Sequence, residues 1–230
     1  MSTPRSLPRL FIPGVIAEEP FELPQAEIDK LRKVLRLQAG AQIAVLPNDG
    51  TLIRCEFRGR EAIPLEVVRP DTEPTLQLTL AQAFPKGDKL DDIIKSCTGI
   101  GVAKFVLFPS ERTVVQWDQK KLQDRLRRFQ TIAREEAEVS FRSRLPAFEV
   151  AKDLKEVLTR YPDATVLSEV EGLAPKLAPQ GNSMTIVVGP EGGWSARELE
   201  LIGDRGVTLG PRVLRVEHAG PAAAAVLLLR

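Results

Sequence analysis

The stretch that decides the fold is Thr185-Ile186-Val187-Val188-Gly189-Pro190-Glu191-Gly192-Gly193-Trp194-Ser195-Ala196-Arg197-Glu198. Its apolar start predicts a buried strand, and the glycines that follow predict a loop at the carboxyl end of that strand. Ser195 and Glu198 have the S-x-x-E spacing of a capping box, which predicts a helix beginning after Ser195. Because open α/β sheets bind ligands at the carboxyl ends of their strands, this segment is a candidate binding site.

A second glycine loop follows soon afterwards, with the sequence VTLGPRVLR at residues 207–215. Glu217 and the only histidine, His218, come directly after it. Neither loop contains the G-x-G-x-x-G or the G-x-x-x-x-G-K-[ST] pattern, so the standard phosphate-binding fingerprints are not indicated.

From about residue 76 to the two glycine loops, predicted strands alternate with predicted helices. Apolar segments at 76–83, 104–108, 166–168 and 185–188 predict strands, whereas 88–99 and the charged segment 119–139 predict helices. This alternation predicts an α/β domain with a parallel sheet.

The first 70 residues have a different pattern. Residues 24–37 predict a helix, with Ile28, Leu31, Val34 and Leu35 at helical spacing. Segments 42–46 and 51–57 predict a hairpin around an Asn-Asp-Gly turn, which indicates a small β-barrel. A segment rich in proline and charge, 69–74, predicts a linker, so we expect one domain over 1–70 and another over 71–230.

Composition limits the class of protein. The 230 residues are 43% hydrophobic and 27% charged, which is typical of soluble globular domains. With 32 Lys and Arg against 31 Asp and Glu, an anionic partner must be met by local basic patches. Only Cys55 and Cys97 are present, which indicates neither a disulfide framework nor a metal site. The N-terminus has no apolar signal core, and the longest apolar run, 222–229, is too short to span a membrane, so we expect a cytoplasmic protein.

Both glycine loops have counterparts in one known family. GPEGG at 189–193, then LGPRVLR at 209–215 and Glu217, resemble the C-terminal signature of the RsmE-type methyltransferases of the SPOUT superfamily. Members of that family methylate N3 of a uridine in small-subunit (16S) ribosomal RNA. Further matching motifs, in order, are RLF at 9–11, KVLRL at 33–37, KGDK at 86–89, ERT at 111–113 and AEVSFR at 137–142.

The resemblance implies an α/β fold: a trefoil-knotted SPOUT methyltransferase domain preceded by a small PUA-like β-barrel. It also implies a homodimer and a cofactor, S-adenosyl-L-methionine (SAM), held by three loops. Carried over to this chain, the cofactor-binding residues are Leu167, Ser168, Glu169, Gly189, Pro190, Glu191, Gly192, Gly193, Leu209, Gly210, Arg212, Val213 and Leu214.

Methylation at N3 of uracil requires that a proton be removed and the resulting anion be stabilised. Arg142 or Arg215 could supply a fixed cation for that anion, although a salt bridge or a phosphate contact is an equally open role for an arginine. Glu217 is a candidate base or an acceptor that orients Arg215, with a structural hydrogen bond as the alternative. Trp194 is expected to pack rather than stack on a base.

The expected partner is ribosomal RNA or the small ribosomal subunit. Basic residues cluster on the predicted first helix, and together with Arg9 they are the candidate RNA contacts: Lys30, Arg32, Lys33 and Arg36. A solvated helix face is the alternative for such a run, and a second basic run at 120–128 is the other entry point for RNA.

The chain departs from the family pattern at several positions, among them Val216 and His218, where the family has Thr on either side of Glu217, and a histidine usual near the start of the first helix is missing. Val139 and Phe141 stand where the family has Gln and Gly, and Ser96 and Gly99 stand where it has Lys and Glu. Two alternative functions therefore stay open. One is a homologue that binds SAM and RNA with weakened catalysis, and the other is a different nucleotide-binding α/β enzyme.

Overall fold

The computed structural model describes residues 6–115, 117–168 and 175–229. The chain divides into two compact units. The first unit runs to Glu73 and also includes Ala137–Leu145, while the second comprises Pro74–Glu136 and the chain from Pro146 onward. The sequence predicts one domain boundary near residue 70. That boundary alone does not separate the two units, because Ala137–Leu145 returns to the first unit.

The first unit is built on a five-stranded sheet with the order β1-β3-β4-β5-β2. Its strands are β1 (Arg9–Phe11), β2 (Phe21–Glu22), β3 (Gln42–Leu46), β4 (Leu52–Phe57) and β5 (Glu61–Val68). The pair β1 and β3 is parallel and the other pairs are antiparallel. The predicted hairpin between β3 and β4 is confirmed, and Asn48 and Gly50 take the positive φ values, 70° and 94°, that its turn requires.

The predicted first helix is α1 (Gln25–Asp29), continued by a π-helical turn over Lys30–Val34. Its last bond runs from the Leu35 N–H to the Lys30 carbonyl, so each turn there holds an extra residue. Ile28 and Leu31 are buried in the core of the sheet, as their spacing predicts. Val34 and Leu35 were expected on the same face, but the wider turn leaves them 72% and 41% exposed.

The second unit contains a six-stranded sheet, and every pair in it is parallel. The parallel sheet predicted from the alternating pattern is therefore confirmed. The strand order is β11-β9-β10-β6-β7-β8. The strands are β6 (Gln77–Ala83), β7 (Lys104–Phe108), β8 (Ala147–Val150), β9 (Thr165–Leu167), β10 (Ser183–Val188) and β11 (Gly206–Val207).

Helices cover both faces of this sheet, as a parallel sheet requires. They are α2 (Lys89–Ile100), α3 (Gln119–Val139), α4 (Leu154–Arg160), α5 (Ala196–Ile202) and α6 (Val216–Leu228). Successive side chains of β6 alternate between two apolar clusters: Leu80 packs with residues of α2 and α6, and Ala81 packs with residues of α4 and α5. Strands β8 and β11 and helix α4 were not predicted from the sequence.

Helix α6 contains most of the apolar run 222–229 and packs closely on the sheet and on α2. Ala223, Ala224 and Leu227 are buried. Gly220 permits a close approach, because a Cβ atom there would lie 3.2 Å from Leu80 Cδ2. Among the described residues, no helix is both long and apolar enough to cross a membrane.

Two of the departures from the family pattern have a structural explanation. At Gly99 a Cβ atom would lie 2.7 Å from Glu136 Oε1, so the carboxylate of Glu136 fills the space beside this position. Phe141 has a left-handed φ of 65°, which explains why glycine suits this position in the family. The Arg9 guanidinium lies 3.8 Å from the centre of the Phe141 ring, a cation–π contact that favours keeping the aromatic side chain.

Candidate functional site

The loops that carry the sequence signatures lie at one edge of the second sheet. Because all its strands are parallel, the loops after β6, β7, β9, β10 and β11 share the carboxyl edge. The GPEGG loop follows β10, whose neighbours in the sheet are β9 and β6. This edge therefore brings together most of the predicted cofactor loops, along with the KGDK and ERT segments that follow β6 and β7.

Trp194 ties the GPEGG loop to the loop after β9. Its indole N–H donates a hydrogen bond of 3.1 Å to the Leu167 carbonyl. The ring is only 7% exposed, as predicted for a packing role, and a Cβ atom at Gly189 would lie 3.1 Å from it. The first glycine of the loop is therefore needed so that the indole can cover the end of β10.

Glu198 connects the start of α5 to the loop after β7. The capping box is confirmed, because Ser195 Oγ accepts a bond from the Glu198 N–H and the Glu198 carboxylate accepts one from the Ser195 N–H. The same carboxylate, 2% exposed, also accepts bonds from Ser110 Oγ at 2.8 Å and from the Glu111 N–H at 3.0 Å. Three donors on one buried carboxylate hold these two loops together.

The ERT segment contacts the GPEGG loop a second time. Arg112 Nη1 donates a 2.8 Å hydrogen bond to the Gly192 carbonyl. A Cβ atom at Gly192 would lie 3.3 Å from Arg112 Cβ, so this glycine lies close to the arginine stem. Glu111 accepts a 2.6 Å hydrogen bond from Ser195 Oγ. The sequence analysis did not assign Arg112 to the site. Its position just after β7, a strand of the parallel sheet, does indicate a place at the carboxyl edge.

An ion-pair network joins the GPEGG loop to the start of α6. Lys89 Nζ lies 3.0 Å from Glu191 Oε1 and 3.3 Å from Glu217 Oε2. Arg215 Nη1 lies 4.0 Å from Glu217 Oε1, at the far end of the network. The Arg215 side chain is 81% exposed, whereas that of Glu217 is only 18% exposed. The structure thus brings the predicted residues Glu191, Arg215 and Glu217 into one network through Lys89, which sequence reasoning missed.

Lys89, Glu191 and Glu217 each have a shifted pKa. The hydrogen bond to Glu191 is the largest cause that raises the pKa of Lys89 above its ordinary value. Burial raises the pKa of Glu191, but hydrogen bonds from its own N–H, Lys89 and the Lys86 N–H outweigh burial and lower that pKa. A hydrogen bond from its own N–H, followed by the Lys89 contact, lowers the pKa of Glu217. The lysine is therefore charged and both carboxylates are ionised at neutral pH.

The third predicted loop begins after β11. The Ser168 N–H donates a 3.0 Å bond to the Val207 carbonyl, which holds the ends of β9 and β11 together. Thr208 Oγ1 donates to the Gly210 carbonyl and accepts from the Gly210 N–H, at 2.9 Å and 3.0 Å. Arg212 is exposed, and Val213 is 72% exposed. The predicted residue Glu169 lies outside the described residues.

Two glycines at this edge border open space. Gly193 and Gly210 have positive φ values of 65° and 134°, and, apart from their chain neighbours, no described residue has an atom within 4 Å of a Cβ atom built at either position. Both leave their backbones open to close approach by a ligand. A small molecule with polar groups for backbone recognition therefore fits this edge. Within the described residues, no group of three or more His, Cys, Asp or Glu side chains could hold a metal ion.

Arg142, the other candidate cation, lies in the first unit. Its side chain is 4% exposed, and its Nε and Nη2 atoms lie 3.2 Å and 2.8 Å from Glu73 Oε2. Glu73 also accepts bonds from the Ser143 and Arg144 N–H groups. Two guanidinium N–H groups therefore donate to one oxygen of the Glu73 carboxylate, and its other oxygen accepts bonds from the following backbone.

The predicted RNA contacts lie in the first unit and differ in their surroundings. Lys30 is half-buried and forms an ion pair with Glu138, whose carboxylate also accepts a 3.3 Å bond from the Phe11 N–H. Lys33 pairs with Asp29 on the surface. Arg32, Lys33 and Arg36 are exposed, so these three can present positive charge to a partner.

The second basic run, on α3, is partly neutralised by acidic residues. Arg125 pairs with Asp88, and Arg128 pairs with Asp91 of α2. Arg127 pairs with Asp124 on its own helix. Much of the positive charge of α3 is therefore balanced by acidic residues. The pairs with Asp88 and Asp91 also connect α3 to α2 and its N-cap.

Comparisons with known proteins agree with this arrangement. Residues 72–228 match the family described as RNA methyltransferase domain. The chain is 32% identical over 225 residues to ribosomal RNA small subunit methyltransferase E of Bacillus subtilis, covering 89% of this chain and 88% of that protein. It is 34% identical over 228 residues to the protein of the same name from Synechocystis, covering 93% and 74% of the two chains.

A solved structure extends the likeness to three dimensions. The crystal structure of ribosomal RNA small subunit methyltransferase E from Neisseria gonorrhoeae, bound to S-adenosyl methionine, aligns with a TM-score of 0.85 and 27% identity. The alignment covers 95% of each chain. The fold of this chain is therefore an α/β methyltransferase fold.

The buried Arg142–Glu73 pair predicts a stability effect. Replacing Arg142 by Met leaves the Glu73 carboxylate without its cation, so the free energy of unfolding should fall by about 3 kcal/mol. Urea denaturation followed by circular dichroism measures this change. Arg58→Met, which removes the exposed Arg58–Glu56 pair of the same unit, should leave the unfolding midpoint nearly unchanged. An Arg142→Met protein as stable as the wild type would mean that the guanidinium is not held for structural reasons.

Proposed function

This chain belongs to the RNA methyltransferase family, and we propose that it transfers the methyl group of SAM to N3 of a uridine in 16S ribosomal RNA. The observation that carries this proposal is the meeting of the three signature loops at one sheet edge, beside two glycines that border open space. The relatives named ribosomal RNA small subunit methyltransferase E, one of them solved with SAM bound, support the cofactor and the RNA class.

SAM would be held by the three loops, and its sulfonium supplies the electrophilic methyl group. The backbones of Gly193 and Gly210 would approach it closely, and the Trp194–Leu167 bond keeps two of the loops together. We assign the following residues to the cofactor: Leu167, Ser168, Glu169, Gly189, Pro190, Glu191, Gly192, Gly193, Leu209, Gly210, Arg212, Val213 and Leu214.

Arg215 is the cation best suited to stabilise the uracil anion. Its side chain is exposed at the edge that carries the cofactor loops, whereas Arg142 is already bound to Glu73. Glu217, whose pKa is lowered by its own N–H and by Lys89, is a weak proton acceptor. We therefore assign Glu217 to orienting Arg215 and Arg142 to supporting its own unit, and we assign no residue to removal of the N3 proton.

The larger architecture follows from the same proposal. The C-terminal part of the second unit would be threaded as a trefoil knot, and the five-stranded sheet would form a PUA-like barrel that binds RNA. The domain boundary falls near residues 70–73. We propose that the protein acts as a homodimer on ribosomal RNA or the small subunit in the cytoplasm, without a metal ion.

Methyl transfer is tested directly with radiolabelled SAM. The protein is incubated with small ribosomal subunits or with naked 16S RNA, and the label is mapped by nuclease digestion and mass spectrometry. We expect 3-methyluridine at one position. Label on another base would change the assigned reaction, and SAM binding without transfer would identify a catalytically weakened homologue.

The open space beside Gly193 predicts a selective loss of SAM affinity. In Gly193→Val the side chain projects into that space and should raise the Kd for SAM at least tenfold, or about 1.4 kcal/mol. Gly203→Val is the matched control, because Gly203 also has a positive φ, 52°, and open space beside its Cβ position but follows α5. Calorimetry should give wild-type affinity for the control. Equal losses in both variants would mean that backbone strain alone is responsible.

The exposed cations of the first unit predict a salt-dependent effect. Replacing Arg32, Lys33 and Arg36 together by Ala should weaken RNA binding and flatten the slope of log K against log salt by about 2, since each lost phosphate contact contributes ~0.7. Lys30 stays intact, because it holds Glu138. SAM affinity should not change.

A charge-matched control is available on α3. Lys120, Lys121 and Arg127 are exposed, and their joint replacement by Ala removes the same number of charges. Filter binding at several salt concentrations compares the two triple variants. A larger loss from the α3 variant would mean that RNA enters by that face.

A further inference from the structure

Lys89 occupies a position that its own helix does not favour. It is the first residue of α2. The N-terminus of a helix carries partial positive charge, so a cation there is locally unfavourable and an acidic residue is preferred. The first turn of α2 otherwise follows this preference, with Asp91 and Asp92. A residue that contradicts its local preference indicates a requirement from contacts outside the helix.

Those contacts are two carboxylates from different parts of the chain. Glu191 lies in the GPEGG loop and Glu217 lies in the first turn of α6, and Lys89 Nζ is within 3.3 Å of both. Glu191 is bound from the same side by the Lys86 N–H at 3.1 Å. The segment 86–89 thus supplies both a backbone donor and a cation to one carboxylate of the GPEGG loop.

The Glu217 carboxylate depends on Lys89 more strongly than the Glu191 carboxylate does, because Glu191 also accepts a bond from the Lys86 N–H. Glu217 Oε2 is buried and, among the described residues, has no well-aligned hydrogen-bond donor. The Lys89 ammonium, 3.3 Å away, balances its charge although the angle is poor for a hydrogen bond. Without Lys89 this oxygen would be a buried negative charge with no balancing cation at that distance, and the start of α6 would move to expose it.

We infer that Lys89 is a positioning residue that fixes the GPEGG loop against the start of α6, so that the loops on either side of the cofactor keep their binding geometry before it arrives. This inference rests on the proposed function, since it assigns both loops to SAM. Lys89 acts through Glu191 and Glu217 and does not itself need to touch SAM. Loops held in place in advance bind with a smaller ordering cost than loops that must be ordered on binding.

The test compares Lys89→Met, Lys89→Arg and Lys95→Met, with SAM binding measured by calorimetry. Lys95 is an exposed lysine on the same helix and serves as the control. Lys89→Met should raise the Kd for SAM roughly tenfold. Lys89→Arg keeps a cation that can meet two carboxylates, so it should restore affinity to within about twofold of the wild type. In methyl-transfer assays the KM for SAM should rise more than kcat falls.

A double variant separates positioning from general support of the helix. If Lys89 acts by balancing Glu217, the effects of Lys89→Met and Glu217→Gln on SAM affinity should be less than additive in Lys89→Met/Glu217→Gln. Additive effects would contradict the inference, because they would mean that the two residues act independently. Urea denaturation should show that Lys89→Met remains folded under the binding conditions although it loses some stability, and that Lys89→Arg recovers that loss.

Other outcomes would also overturn the role of Lys89. Wild-type affinity in Lys89→Met, or an equal loss in Lys95→Met, would contradict it while leaving the proposed function intact. Failure of Lys89→Arg to restore binding would show that charge is not what matters. A wild-type protein that does not bind SAM at all would instead contradict the proposed function itself.

Discussion

The parallel direction of all six strands in the second unit is the constraint on which its chemistry depends. Because the strands share a direction, every strand-to-helix loop that follows a carboxyl end lies at the same edge. The loops after β9, β10 and β11 come from residues far apart in the chain but from strands that lie side by side. The sheet is buried on both faces by helices, so this edge is where it offers backbone groups to a ligand.

Shared direction brings the loops together, but specific hydrogen bonds determine how they are held. Glu198 accepts bonds from Ser110 and Glu111 as well as from its own cap, so the helix that follows the GPEGG loop is attached to the strand two places away in the sheet. Trp194 makes the corresponding attachment on the other side, to the end of β9. The GPEGG loop is thus fixed from both sides by buried polar groups, each of which would be costly to leave without its partner.

The elements that the sequence predicted well are those with short-range signals. The short apolar run at 104–108 predicted β7 and the charged segment at about 119–139 predicted α3, both with the bounds observed, and the S-x-x-E spacing predicted the capping box at Ser195. Contacts across the chain have no such signal: Lys89 and Glu191 are 102 positions apart, and neither residue type reveals its partner. The resemblance to a family identified the loops, but it did not predict that Arg142 binds Glu73 or that Ala137–Leu145 returns to the first unit.

Charge compensation finally distinguishes the two candidate catalytic arginines. A cation can stabilise a developing anion only if its charge is not already balanced at close range. Arg142 is buried, and the Glu73 carboxylate 2.8 Å away largely balances its charge. Arg215 is exposed, and the carboxylate it pairs with among the described residues, Glu217, lies 4.0 Å away and is shared with Lys89. Under the proposed function, Lys89 would therefore have a second effect: by balancing Glu217, it would leave more of the Arg215 charge available to an anionic substrate.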